Sequence, residues 1–311
     1  MKFAAIDIGT NTCLLLVAEV APDGTIQTLR QEQRLPRLGR SVDRNNLIDE
    51  GIFPRIASIL LEYKEISAAH GAQTLVACAT SAVRDASNQG AFLEAMRRLA
   101  GVEIEVLSGE AEALLTYKGA IGGLPADSGS IMVLDIGGGS TELSHPVPGT
   151  HNGSTKLTHY SFQIGAVRLT ERFFRHSPPA RAELASARAL ILEELAPVRN
   201  PGFERYTLVG VAGTVTTLAC LDQELASFDP SKVRGYLLPY ERVARWLGRL
   251  ASLSAEQIEG LSGAARGRAD ILTAGTLILH EIMSLYRIGS VTASDRGLRY
   301  GVVVREWERT K

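Results

Sequence analysis

Two stretches of this sequence join an aspartate to a glycine turn and a run of small hydroxyl residues: Ile6-Asp7-Ile8-Gly9-Thr10-Asn11-Thr12 and Leu134-Asp135-Ile136-Gly137-Gly138-Gly139-Ser140. Such a turn leaves consecutive backbone N–H groups unpaired and pointing one way. That makes an anion site, and the absent side chains let a phosphate come close. The hydroxyls of Thr10, Thr12, Ser140 and Thr141 add donors. An aspartate at the strand end repels a bare phosphate, so Asp7 and Asp135 make sense if a divalent cation sits between carboxylate and phosphate. One copy reads as an ordinary hairpin with a solvated aspartate at its mouth. Two matching copies, one with three consecutive glycines, turn the reading towards phosphate.

Other side chains could take part in that chemistry. Glu110 and Glu112 fall near the start of a helix capped by Ser108. The positive end of the helix dipole would favour an ionised Glu112, the form a base needs; taken alone, both read as helix-stabilising carboxylates. Arg84 follows a buried strand in a polar loop, placed either to fork onto a phosphate or to pair with Asp85. Arg34, Arg37, Arg40 and Arg44 form a basic cluster that reads as a solvated charged loop, with guidance of a polyanion as the functional alternative. His280-Glu281 starts a zinc-protease pattern, but Ser284 stands where its second histidine belongs. Gly213-Thr214 reads as tight strand-to-helix packing.

The elements that must position these residues follow from hydrophobic period and turn chemistry. Strands are expected at 3–8, 13–20 and 25–35, with Pro22-Asp23-Gly24 turning the chain between the last two. A helix at 52–69, a strand at 75–79, a helix at 88–99 stopped by Gly101, a strand at 104–107 and a helix from Ser108 to about Lys118 follow. Gly122 to Gly129 is a turn-rich boundary, after which the plan restarts. Strands come at 131–136, 141–147, 157–162, 206–211 and 288–293. Helices come at 167–174, 181–195, 215–225 and after Asp295, with an all-round apolar one at 268–286. A repeat built on strand–turn–strand points to two similar α/β domains facing each other.

Composition bounds the rest. A chain of 311 residues suits two medium domains, and 45% hydrophobic with 22% charged residues is globular. The net charge of −1 provides no global basic field, so an anionic ligand needs local donors or metal ions. Three scattered cysteines, Cys13, Cys78 and Cys220, suit a reducing cytoplasm. Asp7 interrupts the N-terminal apolar run too early for a signal peptide, and no apolar stretch is long enough to span a bilayer.

With these residues in order, the sequence resembles the exopolyphosphatase and guanosine-pentaphosphate phosphatase family of the actin-like superfamily. Residues 4–12 look like its first phosphate loop, and Ala79-Thr80-Ser81-Ala82-Val83-Arg84-Asp85-Ala86 like its threonine–arginine segment. Leu107-Ser108-Gly109-Glu110-Ala111-Glu112-Ala113 is similar to the segment carrying its catalytic glutamate. Asp135-Ile136-Gly137-Gly138-Gly139-Ser140-Thr141-Glu142 resembles the second loop. Gly165-Ala166-Val167-Arg168-Leu169, Gly210-Val211-Ala212-Gly213-Thr214 and Ser294-Asp295-Arg296-Gly297-Leu298-Arg299 resemble later family segments.

The resemblance implies an α/β fold of two actin-like (ribonuclease H-like) domains, each with a mixed five-stranded sheet, with the site in an interdomain cleft. The bounds are 1–125 and 126–311, with the last helix packing back on the first domain. Ending at Lys311, the chain is expected to be a short form without the C-terminal extension of larger members. The implied activity is metal-dependent release of terminal phosphate from inorganic polyphosphate. The implied base is Glu112, with Glu110 as rival because Ala111 replaces the first of the family's two adjacent glutamates. Gly9, Thr10, Asn11, Thr12, Arg84, Gly137, Gly138, Gly139, Ser140 and Thr141 are the expected phosphate ligands. Asp7, Asp135 and Glu142 are expected around Mg²⁺ or Mn²⁺, with Arg168 and Gly213 as weaker candidates. The expected partners are polyphosphate or guanosine pentaphosphate and a second copy of the chain, not nucleic acid or membrane. A kinase of the same superfold, which needs an acceptor, and a non-catalytic polyphosphate or nucleotide sensor are the alternatives of other classes.

Overall fold

The computed structural model describes residues 1–40, 42–122, 124, 130–147, 156–198 and 202–311, excluding the side chains of Asp43 and Arg44. Of the turn-rich stretch 122–129, only Gly122 and Leu124 lie among them. The chain divides into two compact units, one of Met1–Gly119 with Leu298–Lys311 and one of Ala120–Gly297.

In the first unit β1 (Lys2–Ile8), β2 (Cys13–Val20) and β3 (Ile26–Arg34) form an antiparallel meander. β4 (Thr74–Ala79) pairs parallel with β1, and β5 (Ile104–Val106) parallel with β4, so the sheet order is β3-β2-β1-β4-β5. Both faces of this sheet are covered, which is why β1 and β2 read as unbroken apolar runs. Ala4, Ile6 and Ile8 enter one core with Ile56, Leu60, Phe92 and Met96 of the helices α2 (Phe53–Ala69) and α4 (Gln89–Ala100). Phe3, Ala5, Leu16 and Ala18 point the other way, into a core with Leu115, Tyr300 and Val303. α1 (Val42–Asn45) and α3 (Ser81–Arg84) are single turns, and α5 (Gly109–Ile121) starts behind β5. Arg84 ends the helical turn α3 instead of lying in a loop, because Val83 and Arg84 donate to the Thr80 carbonyl. The expected helix stop is present: Gly101 takes a left-handed φ of +59° and donates to the Arg97 carbonyl.

The second unit repeats the plan. β6 (Ile131–Ile136), β7 (Thr141–Pro146) and β8 (Leu157–Phe162) form the meander, and β9 (Thr207–Val211) runs parallel to β6. β10 (Leu237–Pro239) is antiparallel to β11 (Ser290–Ala293), which is parallel to β9. The order is β10-β11-β9-β6-β7-β8, so without β10 it matches the first sheet strand for strand. This corrects the expected five strands to six. The short edge strand β10 ends in Pro239, and three residues are too few to show a period. The helices are α6 (Ala166–Phe173), α7 (Arg181–Leu195), α8 (Ala212–Asp222), α9 (Pro230–Val233), α10 (Tyr240–Leu250), α11 (Ala255–Glu259) and α12 (Ala269–Leu285). α12 is buried from Leu272 to Leu279 on all sides, as an apolar helix must be. α8 starts at Ala212, directly after β9, three residues earlier than its apolar period suggested. The last helix, α13 (Leu298–Glu308), belongs to the first unit and packs on β1 and β2.

Candidate active site

The first glycine turn joins β1 to β2. Gly9 N–H donates to the Thr12 carbonyl at 2.9 Å and closes the hairpin. The carbonyls inside the turn are held from outside the hairpin: Thr10 O accepts from Gly39 N–H at 2.7 Å and Asn11 O from Arg37 N–H at 3.1 Å. Among the described residues, the N–H groups of Thr10, Asn11 and Thr12 donate to no carbonyl. Fixing the carbonyls on one side leaves the amides turned to the other, the geometry of an anion nest. The Thr10 and Ser81 hydroxyls lie 3.0 Å apart, tying the turn to α3.

The second turn, between β6 and β7, is closed the same way: Gly137 N–H donates to Ser140 O at 3.0 Å. Its carbonyls are held by the N-terminus of α6, whose first N–H groups have no partner within the helix. Ala166 donates to Gly137 O at 2.9 Å, and Val167 and Arg168 donate to Gly138 O at 2.9 and 3.0 Å. Arg168 Nε adds a bond to Gly139 O at 2.6 Å, so this arginine braces the loop from behind. The amides of Gly138, Gly139 and Ser140 are left without a carbonyl partner among the described residues. The Thr141 hydroxyl donates to Ile164 O at 2.6 Å, so its proton is already engaged.

In the first unit three charged side chains meet. Glu112, on α5, is buried and accepts from Arg84 Nη1 at 2.8 Å. Arg84 Nη1 also donates to the Leu107 carbonyl at 3.0 Å, and its Nε lies 3.7 Å from Asp85. The arginine therefore grips the glutamate more closely than it does Asp85. Asp7, one residue before the end of β1, has its Oδ1 buried and without a hydrogen-bond partner among the described residues. Burial pushes the Asp7 carboxyl up to about 7, the negative charge of Glu112 adds to that, and Arg299 opposes it. Arg299 comes from α13 and is anchored by a 2.8 Å bond to Leu15 O on β2. Burial also raises the Glu112 carboxyl, against the pull of Arg84. Burial therefore works against the ionisation that the helix dipole is expected to favour. Of the two candidate glutamates, Glu112 faces Asp7 and Arg84, while Glu110 is exposed.

In the second unit Asp135 on β6 and Glu142 on β7 are directly opposite partners in an antiparallel pair, which puts both carboxylates on one face of the sheet. Glu142 is buried and accepts from Ser161 Oγ at 3.1 Å. Like charges so placed repel unless a cation lies near. Among the described residues no group of three or more His, Cys, Asp or Glu side chains could hold a metal ion. The donors present fit a hard cation that takes one or two carboxylates and completes its shell with water and phosphate, as Mg²⁺ does. The orphaned Asp7 Oδ1 and the opposed Asp135 and Glu142 are such donors.

Several residues stand elsewhere. Arg34 is neutralised by Glu62 and by Glu32, and the Arg44 side chain lies outside the described residues. Gly213, on α8, faces Arg268: a Cβ there would fall 2.0 Å from Arg268 Nη1, so the arginine tip would have to move. Gly39 was not named from the sequence, and Gly165, Ser81 and Arg299 were named only as members of quoted segments, with no role assigned to them. A Cβ on Gly39 would lie 2.2 Å from Thr10 Cγ2, and one on Gly165 would lie 2.3 Å from the Gly138 carbonyl. Nothing local marks them, because each meets its loop only through the fold.

A model of the Ppx/GppA phosphatase family matches residues 16–310. Exopolyphosphatase 2 of Mycobacterium tuberculosis is 33% identical over 317 residues, covering 97% of this chain and 98% of that protein. The crystal structure of the Aquifex aeolicus member of the Ppx/GppA family superposes with a TM-score of 0.83 at 31% identity, over 100% of this chain and 99% of that one. An exopolyphosphatase from Cytophaga hutchinsonii superposes with a TM-score of 0.89 at 25% identity, again over 100% and 99%.

Proposed function

This chain belongs to the Ppx/GppA phosphatase family, and from that premise we propose that it is an exopolyphosphatase, a hydrolase that removes the terminal phosphate of inorganic polyphosphate. The observation that carries the chemistry is the buried Glu112, held by Arg84 and set against Asp7 in the unit that contains the first glycine turn. A carboxylate raised by burial is a stronger base than a solvated one, while the arginine keeps an ionised fraction available.

In this mechanism the amides of Thr10, Asn11 and Thr12 bind phosphoryl oxygens of the substrate, and those of Gly138, Gly139 and Ser140 are an anion nest of the same kind in the second unit. Glu112 orients a water for in-line attack and takes its proton at a carboxylate oxygen. The shortened chain leaves with its new terminal phosphate, and no covalent enzyme intermediate forms. Phosphoryl transfer needs little more from a protein than positioning and charge stabilisation. Mg²⁺ or Mn²⁺, when bound by Asp7 or by Asp135 with Glu142, would shield the charge of the phosphate.

The test is phosphate release from polyphosphate with Mg²⁺, with Mn²⁺ and after chelation. Release that survives chelation would sink the metal assignment, and no release from any polyphosphate would sink the activity. Guanosine pentaphosphate is the second reading, since the family resemblance covers phosphatases of that nucleotide; parallel kcat/KM values on the two substrates separate them. No helix among the described residues is long and apolar enough to cross a membrane. The three cysteines are free and buried, which suits the reducing cytoplasm we assign to the protein.

A further inference from the structure

Ser81 holds a place between the first glycine turn and the base that the mechanism has not used. It opens α3, which starts directly after β4, where Thr80 N–H donates to Ile8 O at 3.3 Å, one residue before the turn. The helical turn is closed by Val83 and Arg84 N–H on Thr80 O and by Asp85 N–H on Ser81 O at 2.9 Å. Gln89 Nε2 donates to Val83 O and Arg84 O at 3.0 and 3.3 Å and caps its far end. With every bond of so short a helix in place, its two ends move together. At one end the Ser81 hydroxyl meets the Thr10 hydroxyl at 3.0 Å. At the other, Arg84 grips Glu112 at 2.8 Å.

Thr10 and Ser81 are both buried, which strengthens a hydrogen bond between them. The methyl of Thr10 occupies the space that a Cβ on Gly39 would need, and a β-branched side chain has few other rotamers to take. Its hydroxyl is therefore aimed at Ser81 by the same backbone whose amide belongs to the anion nest. We propose that Ser81 is a positioning residue of the hydrolysis: through Thr10 and Arg84 it sets the place of the Glu112 carboxylate relative to the phosphate held on the first turn. Ser81 itself touches neither reacting atom. In-line attack tolerates little error, since a misplacement of about 1 Å costs on the order of 10²-fold in rate. The proposal rests on the exopolyphosphatase reading and adds a determinant of kcat to it.

The experiment compares the full-length protein with Ser81→Ala and Ser81→Thr on polyphosphate. Ser81→Ala should lower kcat about tenfold, the loss of one buried hydrogen bond expressed at the reacting centre, and Ser81→Thr, which keeps the hydroxyl, should recover most of it. Adding Ser81→Ala to Glu112→Gln protein should leave its polyphosphate affinity, read by calorimetry, unchanged, because Arg37 and Gly39 of the 37–40 bend still hold the carbonyls of the turn. A merely structural serine would instead weaken binding and turnover together. Thr10→Val removes the partner hydroxyl and keeps the backbone amide and the shape; in that background Ser81→Ala should cost no further kcat. An unchanged kcat in Ser81→Ala, an affinity loss as large as the kcat loss, or a full second loss in the Thr10→Val background overturns the positioning role and leaves the activity standing. A wild-type protein that releases no phosphate from polyphosphate overturns the activity, and the positioning role with it.

Discussion

Glu112 is a buried acid that depends on its neighbours at both ends of its titration. Arg84 stabilises the charged form through a 2.8 Å bond, and loss of water opposes it. Replacing the carboxylate by an amide of the same shape keeps the packing and removes the base. Glu112→Gln is therefore expected to lose about 10²–10⁴-fold in kcat while still binding polyphosphate, read by phosphate release and by calorimetry. A variant with near-normal turnover would remove Glu112 from the role of base. Arg84 also explains why Glu112 holds its place, since its second bond, to Leu107 O, fixes the guanidinium just before α5. Neither bond is legible locally, because Arg84 and Glu112 are brought together only by the parallel pairing of β4 with β5.

At the scale of the element, each glycine turn is half of a device whose other half is remote in sequence. The 37–40 bend braces the first turn and α6 braces the second, and each brace has a glycine where a Cβ would strike the turn. Gly165→Ala places a methyl 2.3 Å from the Gly138 carbonyl, so the turn must shift and its amides lose alignment. The expected result is a marked loss of polyphosphate affinity. Gly248→Ala is the contrast: it lies in α10 with open space around it and should stabilise the protein by about 0.5–1 kcal/mol without touching affinity. Thermal melts and binding isotherms of both variants check the pair. Equal affinity in Gly165→Ala and wild type would show that the second turn tolerates displacement.

At the scale of the molecule, each unit has its own fastening. In the second, Asp222 at the end of α8 accepts from Tyr236 Oη at 2.7 Å, Arg242 Nε at 2.8 Å and Trp246 Nε1 at 2.8 Å, joining α8 to α10 and to the residue before β10 through one carboxylate. Burial alone would raise this carboxyl, yet the three hydrogen bonds hold it below the ordinary aspartate range. A depressed pKa contributes stability that is present above the unfolded value and lost as pH falls through the folded one. Asp222→Ala should cost about 2–3 kcal/mol at neutral pH, and the deficit should shrink on acidification below the ordinary aspartate pKa. Denaturant titrations at a series of pH values test this, and a deficit independent of pH would refute it. In the first unit the fastening is α13. A Cβ on Gly301 would lie 1.8 Å from the Leu115 carbonyl, so this helix sits directly on α5. Gly301→Leu should destabilise by about 3 kcal/mol and lower Tm by roughly 6–12 °C. Activity should fall with it, since α13 also carries Arg299 beside Asp7. A normal melt would show that the helix can dock otherwise.

What the amino-acid sequence determined by itself is whatever depends on near neighbours. Apolar runs marked the buried strands, turn residues marked the two glycine loops, and the repeat of Asp-Ile-Gly marked two units of one plan. The edge strand β10 escaped because it is too short to show a period, and α8 began early because its first turn lacks one. Through-space terms were left to the tertiary structure. It placed Arg84 on Glu112, Arg299 beside Asp7, and Gly39 and Gly165 behind the loops, and it set burial against the expected ionisation of Glu112. The physical reason is common to all of them: pairing, close approach and desolvation depend on which residues become neighbours once the chain has folded, and residue type and spacing carry no measure of that.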